Sequence, residues 1–509
     1  MTRQTPLSRI VRTAVVLMAL LMITSLMVTA IGAENAPDDA LQERESKAER
    51  ADVPVEEDED GPSIDVFLLG EVPDAMNDEK ASADRPADDE AATPNLQRMV
   101  DADADGNYEY YHWHYERHVR IDSDGDGNYE YGLDIVLDRL RIDRNDDGNP
   151  EVARSKALYR EFIDRNDDGD REISRGHFSL NLKLDKNSDG RPEEVKDARS
   201  GYKVVDADSD GEPETKDRWG NVFHAIDRNQ DGIMEFYLAA SGSTKVIDRD
   251  SDGEPELMKG SGKKTFQVNR DSDKNAERTV ISGWGHLILD RDSDGDAELR
   301  EGYRYSKQVI DANDDGNKEL TRIHKAAAKV VDADGDGEPE LKKGYTATWG
   351  VLDRDSDGNP EVKGQKWSTW KMIDTDSDGQ PELVNRDTGS RLLTDRDSDG
   401  TPEHFKGTRT IRQMVDADDD GNAEYDFVSA SLLEFRDRDD DGDWDVGHMK
   451  SKGHIVIDRD DDGVPEKAER WDIEKWWRST EDTPVDVASS GLTVIEPPID
   501  PEPLEEVAL

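Results

Sequence analysis

An acidic nine-residue pattern, D-x-(D/N)-x-D-G-x-x-E, recurs every 21 residues along most of this chain. The stretch VIDRDSDGEPEL at residues 246–257 is a representative copy. The first of 18 copies begins at Asp101 and the last at Asp458, with no insertion or deletion between them. A strict period makes the repeat itself the structural unit, so the sequence predicts a tandem array rather than one conventional globular core.

The charge composition limits how such an array can be stabilised. The 509 residues include 121 Asp+Glu against 66 Lys+Arg, for a net charge of -55, and only 33% are hydrophobic. This balance disfavours nucleic acid and anionic membranes as partners, and it is too polar for an ordinary packed core unless the acids are neutralised. The chain has no cysteine, which excludes disulfides and thiolate metal sites.

The spacing of oxygen-bearing side chains in each copy is typical of a cation-binding loop. In the representative copy, Asp248, Asp250 and Asp252 occupy positions one, three and five, Gly253 position six and Glu256 position nine. Alternate side chains of a curling loop point inward, and glycine permits the positive φ that brings the position-seven carbonyl toward the ion. Several carboxylates in flexible geometry suit Ca²⁺ better than Mg²⁺, and zinc would require His or Cys.

Asp, Asn and Gly also form ordinary turns, which is the alternative interpretation of a single copy. Turn propensity does not require an oxygen at four positions at once in 18 copies. Those four positions hold 66 of the 121 acids (72 positions less six asparagines), and 18 divalent ions would change the net charge from -55 to -19. The sequence therefore predicts about 17–18 calcium sites.

The predicted ligands fall into four groups by loop position. Position one contributes Asp101, Asp122, Asp143, Asp164, Asp185, Asp206, Asp227, Asp248, Asp290, Asp311, Asp332, Asp353, Asp374, Asp395, Asp416, Asp437 and Asp458. Position three contributes Asp103, Asp124, Asn145, Asn166, Asn187, Asp208, Asn229, Asp250, Asp292, Asn313, Asp334, Asp355, Asp376, Asp397, Asp418, Asp439 and Asp460. Position five contributes Asp105, Asp126, Asp147, Asp168, Asp189, Asp210, Asp231, Asp252, Asp294, Asp315, Asp336, Asp357, Asp378, Asp399, Asp420, Asp441 and Asp462. Position nine contributes Glu109, Glu130, Glu151, Glu172, Glu193, Glu214, Glu235, Glu256, Glu298, Glu319, Glu340, Glu361, Glu382, Glu403, Glu424, Asp445 and Glu466.

The remaining copy, Asn269–Glu277, departs from the pattern. Asn269 replaces the first aspartate, and Lys274 replaces the glycine that the other 17 copies have at position six. We therefore expect this one site to be weak or empty.

The residues around each loop indicate strands rather than helices. The residue before the loop is aliphatic in 16 of 18 copies, and proline occupies position eight in nine. An EF-hand would need an acid at position twelve, which occurs only at Asp217, Glu301 and Glu469. The loop resembles the calcium loops of integrin-type FG-GAP and VCBS repeats, which join two antiparallel strands. That resemblance implies ligation by the side chains at positions one, three, five and nine and by the carbonyl at position seven.

We expect an all-β fold of tandem 21-residue β-hairpin repeats. The 12 residues between loops can hold two strands of about five joined by a two-residue turn, and side-by-side hairpins place the ions about 9.6 Å apart. Spacing and proline use show no odd-even alternation, which favours a continuous antiparallel meander or superhelix. The alternative is a β-propeller with two repeats per blade.

The segments outside the array have other signatures. Residues 1–33 combine three arginines, an apolar run and small residues, typical of a secretory signal, with an uncleaved membrane anchor as the alternative. Residues 34–97 indicate an acidic disordered stalk, in which 64–73 is either a docking strand or a stray apolar patch. Residues 98–478 form the array, and 479–509 a Pro/Glu-rich disordered tail. Three tryptophans near the end of the array predict a hydrophobic cap: Trp471, Trp476 and Trp477.

Histidines and tryptophans of the array form two further candidate sites. His112, His114 and His118 alternate and can share one strand face, as a transition-metal site would require, although polar strand faces often collect such residues. Five tryptophans either pair across strands or stack on sugars: Trp219, Trp284, Trp349, Trp367 and Trp370. No nucleophile or phosphate-loop motif is present, and the cages use most of the acids, so the sequence predicts no enzyme.

Two classes of function remain open. The first is a secreted or cell-surface scaffold or adhesive protein stiffened by calcium. The second is a module that binds extracellular polysaccharide or matrix protein through its tryptophan faces, or a calcium reservoir. Membrane contact is expected only if the N-terminal segment remains as an anchor.

Overall fold

The computed structural model describes residues 96–478 except 251, 272 and 274, and these residues form a single sheet of 19 strands. The strands are β1 (Leu96–Val100), β2 (Tyr110–Ile121), β3 (Tyr131–Ile142), β4 (Val152–Ile163), β5 (Ile173–Leu184), β6 (Glu194–Val205), β7 (Thr215–Ile226), β8 (Phe236–Ile247), β9 (Leu257–Val268), β10 (Arg278–Leu289), β11 (Leu299–Ile310), β12 (Leu320–Val331), β13 (Leu341–Leu352), β14 (Val362–Ile373), β15 (Leu383–Thr394), β16 (His404–Val415), β17 (Tyr425–Arg436), β18 (Val446–Ile457) and β19 (Lys467–Arg478).

The segment between two acidic loops is one continuous strand. From β2 onward every strand has 12 residues, so the prediction of two short strands and a two-residue turn in each spacer is wrong. A 12-residue strand extends for about 40 Å and forms a ladder along its whole length, whereas two five-residue strands would add another turn. Each acidic loop is itself the hairpin connection, and each inner strand belongs to two hairpins.

The sheet is an open antiparallel meander. Each strand pairs with its sequence neighbours, from β1–β2 through β18–β19, and no pairing joins β1 to β19 among the described strands. The residue at strand position one faces position twelve of the next strand, as in the Tyr110–Ile142 and Leu341–Ile373 pairs. Extensive packing occurs only between sequence-adjacent strands, so the sheet is a single layer. The all-β meander is therefore confirmed, and the closed propeller is not the fold.

Strand alternation sends successive loops to opposite edges of the sheet. Loops that share an edge are two repeats apart in sequence, and the ladder continues into them. The backbone N–H of Asp143 donates to the carbonyl of Glu109 at 2.9 Å, and the corresponding bond recurs 15 more times, as far as Asp458 and Glu424. Since two strands separate neighbouring loops on one edge, the spacing of these loops is about 9.6 Å. This equals the spacing predicted for side-by-side hairpins, although the two strands belong to two repeats rather than one.

More polar than apolar side chains are buried in this sheet. Among the described residues, ten hydrophobic side chains are buried, against 27 polar or charged ones that lie mainly in the acidic loops. A small apolar cluster of Phe405, Leu433 and Phe435 lies on one face near the C-terminal end. The hydrophobic effect therefore contributes less to this fold than to a two-layer domain of similar length.

Tryptophan side chains cover glycines of the neighbouring strand. Trp370 lies opposite Gly344 and Trp367 opposite Gly389, and a Cβ at either glycine would meet the indole at 2.2 Å. The ring replaces the missing side chain of the glycine and limits exposure of the backbone. The prediction that these tryptophans form cross-strand pairs is confirmed for both.

We expect Gly344→Ala to lower the free energy of unfolding by about 1–3 kcal/mol, because the new methyl group must displace Trp370 and also meets the Ala327 carbonyl oxygen at 2.8 Å. Gly389→Ala isolates the effect of a ring, since its three nearest contacts are all with Trp367. Gly302→Ala is the matched control, since its Cβ would meet only the carbonyl oxygen of Gly285, at 3.5 Å. Urea unfolding in saturating calcium measures all three variants. Equal midpoints would contradict the packing role of the Trp370 ring.

The predicted cap is found for two of its three tryptophans. The Trp471 and Trp477 rings lie 5.8 Å from Phe427 and 6.3 Å from Phe435, respectively, on the apolar face. Trp476 instead stacks on His448 on the other face and is 62% exposed. The predicted signal, the apolar stretch 64–73 and the tail lie outside the described residues. Within 96–478, no helix is long and apolar enough to cross a membrane.

Candidate metal sites

The position-nine carboxylate closes each acidic loop. In all 18 loops it accepts a hydrogen bond from the backbone N–H of position two, as Glu361 does from Arg354 at 2.7 Å. The single aspartate at this position, Asp445, makes the same bond with Arg438, also at 2.7 Å. The loop therefore folds around its own carboxylates.

Glycine at position six has the predicted backbone conformation. Its φ is positive in all 17 loops that contain it, for example +91° at Gly253 and +93° at Gly358. In 15 loops its N–H donates to the position-one carboxylate, as Gly358 does to Asp353 Oδ2 at 3.0 Å. This turn directs the second half of the loop back toward the first.

The predicted ligand side chains converge as expected. Carboxylate oxygens of Asp248, Asp250 and Asp252 lie within 4.8 Å of one another, and similar groups form in other loops. Position nine joins such a group in the Asp206 loop, through Glu214. We call the side-chain oxygens at positions one, three, five and nine, together with the position-seven carbonyl, the cage of a loop.

The position-one carboxylates fit a bound cation because one of their oxygens lacks a partner. Asp143 is only 1% exposed and Asp353 4%, and in each the Oδ1 atom is buried without a hydrogen-bond donor. Twelve position-one aspartates have such an Oδ1 atom. A buried anionic oxygen without a donor is costly unless a cation compensates it. The donor set of carboxylates and carbonyls is that of a hard divalent ion.

Position four is a feature of the site that the sequence reasoning missed. It has a positive φ in the described loops, such as +59° at Ser356 and +64° at Ser398. In several of these loops its side chain enters the cage of the loop two repeats earlier on the same edge. Ser398 Oγ lies 3.4 Å from Asp355 Oδ1 and 3.2 Å from Asp357 Oδ1, and it donates to the Asn359 carbonyl. These are positions three, five and seven of the earlier loop.

Aspartates at position four make the same approach. Oxygens of Asp167, Asp124 and Asp126 lie within 4.8 Å of one another, although Asp167 belongs to a different loop. Loss of hydration and the carboxylates of Asp105 and Asp103 raise the pKa of Asp146 to about 6. Two loops therefore bring carboxylates into one cage, and negative charge is concentrated there.

The irregular Asn269 loop retains its closure. Arg270 N–H donates to Glu277, and Asn269 Nδ2 donates to the Asp273 carbonyl at 2.9 Å. A hydrogen bond with Asp271, followed by loss of hydration, raises the pKa of Asp314 to about 6. Asp314 thus brings a carboxylate to the loop that lacks the first one. Lys274 lies outside the described residues, and the predicted weakness of this site stays a prediction.

The three histidines near the N-terminal end share one face, as predicted, within an ion-pair network. His118 Nδ1 and Nε2 lie 2.7 Å from Asp134 and Glu116, and His112 Nε2 lies 3.0 Å from Asp138. The hydrogen bond to Asp134 is the main cause of the raised pKa of His118. These contacts satisfy the ring nitrogens of His118 with carboxylates.

The tryptophans proposed to stack on sugars differ in exposure and contacts. Trp219 is 47% exposed and lines a shallow groove with Tyr159 and His177. Trp284 stacks on His286 at a centroid distance of 5.4 Å. Lys325 lies over the Trp349 ring at 5.8 Å. Of these tryptophans, Trp219 has the most open surroundings.

Comparison with known proteins gives no family. No family model matches the chain, and no curated protein matches it. Among solved structures, Pseudomonas aeruginosa OccK3 (OpdO) is 10% identical with a TM-score of 0.17, covering 68% of this chain and 91% of that one. The ferric citrate transporter FecA in the unliganded form is 10% identical with a TM-score of 0.15, covering 75% of this chain and 66% of that one. Similarity this low carries no inference about fold or function.

Proposed function

We propose that this chain is a calcium-binding repeat protein in which an ion in each acidic loop stabilises an extended single-layer sheet. The observation that supports this most directly is the buried Oδ1 atom without a donor at position one, as in Asp143 and Asp353. The convergence of neighbouring carboxylates in the same loops supports a divalent ion. Calcium suits the flexible all-oxygen donor set.

We propose further that the array acts as a structural or adhesive scaffold outside the cytoplasm. A sheet of 19 strands spans about 90 Å across its strands, long enough for a spacer. The secretory character of residues 1–33 supports an extracellular location, where free calcium is near millimolar and weak sites of about 10⁻⁴ M fill.

Metal stoichiometry tests the proposal directly. After dialysis against millimolar calcium, native mass spectrometry of the intact protein is expected to find about 17–18 bound calcium ions, one for each loop. Dialysis against magnesium at the same concentration is the control and should leave few ions bound, because Mg²⁺ gives up its waters reluctantly. A folded protein that retains no calcium would refute the proposal.

The groove beside Trp219 favours one alternative function, binding of an extracellular polysaccharide. Trp219, Tyr159 and His177 line it together with Arg175 and Arg199. The aromatic faces suit stacking on a sugar ring, whereas both guanidinium groups are already paired with carboxylates, Arg175 with Glu161 and Arg199 with Asp197. Calorimetric titration with oligosaccharides in saturating calcium separates the alternatives, because only this function predicts saturable heat that Trp219→Ala abolishes and Trp349→Ala leaves intact.

A further inference from the structure

We infer that the position-four side chain of each loop is a ligand for the ion in the loop two repeats earlier, so that every complete site is built from two loops. This inference rests on the proposed function, since it assigns a further ligand to the same calcium sites. It also makes neighbouring sites on one edge of the sheet dependent on each other.

Contacts of the position-four residues reach the cage at several ligand positions. Ser356 Oγ donates to Glu319 Oε1 at 2.9 Å, which is position nine of the earlier loop. Gln230 Nε2 lies 3.2 Å from Asn187 Oδ1 and 3.2 Å from Asp189 Oδ1, and it also bonds to the Arg191 carbonyl. In Ser356 and Gln230 the hydroxyl and the amide group thus lie among the oxygens that would surround an ion. The amide Nε2 is only a donor, so Gln230 would bind the ion through Oε1, which accepts a hydrogen bond from Asn187 Nδ2 at 2.7 Å.

Burial gives an independent argument. Ser209, Ser293 and Ser377 are each 7% exposed, and their Oγ atoms have no hydrogen-bond partner. Six position-four aspartates likewise have a buried Oδ1 atom without a partner, as in Asp419 and Asp461. Polar atoms held in this way at one position of many loops require a common partner, and a cation at the centre of the cage provides it.

The sequence varies at position four in the way this assignment requires. From the third loop onward, 15 of 16 loops have Asp, Ser or Gln there. The first two loops have Ala104 and Gly125, and these are the two loops with no earlier loop on their edge to complete. A general need for turn formers at a positive φ would not distinguish the first two loops from the others.

Three loops lack this ligand. Gly335 faces the Asp290 loop, where an added Cβ would lie 3.7 Å from the Asp296 carbonyl oxygen and 3.8 Å from Asp292 Oδ2. No loop of the pattern follows the last two, which begin at Asp437 and Asp458. We therefore expect these three sites to bind calcium more weakly than sites that have the same cage residues and also a position-four ligand from the later loop.

The same assignment changes the expectation for the Asn269 loop. Its own acids are Asp271, Asp273 and Glu277, and Asp314 adds a fourth from the later loop. Four carboxylates equal the number that an ordinary cage supplies by itself. The substitution at position one is thus offset by a residue 45 positions away in sequence.

Gly335→Asp tests the inference as a gain of function. Asp at this position in six other loops has φ between +51° and +65°, so the backbone with φ of +74° at Gly335 accepts it. We expect the variant to bind one ion about tenfold more tightly, because a carboxylate joins the Asp290 cage. Gly125→Asp is the matched control, with φ of +80° and no earlier cage to enter.

The readout is the number of ions that the intact protein retains, measured by native mass spectrometry over a series of chelator-buffered calcium concentrations. At calcium concentrations that empty the weakest sites of the unaltered protein, the Gly335→Asp variant should retain one ion more than the unaltered protein. The Gly125→Asp variant should retain the same number as the unaltered protein. An extra ion in both variants, or in neither, would overturn the inference while the unaltered protein still binds calcium. If the unaltered protein binds no calcium, the proposed function itself fails.

A loss of function gives a second test. Asp461→Ala removes the carboxylate that approaches Asp418 and Asp420, and it leaves intact the cage of its own loop, including Asp458. In hydrogen exchange at limiting calcium we expect residues 416–424 to lose protection at least several-fold, and residues 458–466 to keep theirs. Asp461→Ser should retain most of the protection, since serine occupies position four in other loops, such as Ser356 and Ser398. Loss confined to residues 458–466 would contradict a ligand role in the earlier loop.

Discussion

Removal of calcium with a chelator is expected to abolish the β-sheet circular dichroism signal of the intact protein. Without calcium the cages hold several like charges within 4.8 Å, and the ten buried hydrophobic side chains of the described sheet offer little to oppose their repulsion. At millimolar calcium and a site constant near 10⁻⁴ M, each ion contributes about 1.4 kcal/mol, so the array loses on the order of 20 kcal/mol.

Small-angle scattering should record the same transition as an expansion. An unfolded chain of this length has a radius of gyration near 80 Å. Restored calcium should reverse both signals, and magnesium or sodium chloride at equal ionic strength should not, which separates specific binding from charge screening. A chelated protein that stays compact with an unchanged spectrum would disprove the dependence on metal.

Asp353→Ala is expected to open one loop while the distant sheet stays protected. Asp353 is 4% exposed, and its Oδ2 accepts the N–H of Gly358 at 3.0 Å. The substitution removes a cage oxygen and leaves that N–H without its acceptor. We expect a local loss on the order of 2–4 kcal/mol, from the ion and the hydrogen bond together. Hydrogen exchange of residues 353–361 and the adjoining strand ends measures it.

Arg354→Ala is the control for this substitution. Arg354 is exposed and uses only its backbone N–H in the loop, where it bonds to Glu361 at 2.7 Å. Its exchange pattern should match that of the unaltered protein. If both variants behave alike, the carboxylate of Asp353 has no role in holding the loop, and the assignment of position one as a ligand would have to be withdrawn.

The conformation of the loops could be predicted from the sequence alone, but the number and length of the strands between loops could not. Gly253 has the predicted positive φ and Glu256 closes its loop by accepting the N–H of Arg249, because a nine-residue loop is determined by local geometry. Ligation of an ion by Glu256 stays a prediction. The 12-residue spacer was divided wrongly, because its length fits two strands of about five and a turn as well as one long strand. In the sheet, Gly344 lies under the Trp370 ring of the neighbouring strand, a long-range contact that a local pattern does not reveal.

The role of position four was missed for a similar reason. Ser398 and Asp355 are 43 residues apart, and they meet only because intervening strands return the chain to the same edge. The signal was present in the sequence as the contrast between Ala104 and Gly125 in the first two loops and the oxygen-bearing residues in later ones. It becomes interpretable once the alternation of edges is known.

The same alternation restricts how the array can change in length. Loss or duplication of one repeat would reverse the direction of every later strand, so that each later side chain would turn to the opposite surface. The apolar surface around Phe405 and Phe435 would then exchange sides relative to the strands before it. Loss or duplication of two repeats preserves both the surfaces and the edge on which each loop lies. Viable relatives of this chain should therefore differ in size by multiples of 42 residues, with the pair of repeats as the unit of inheritance.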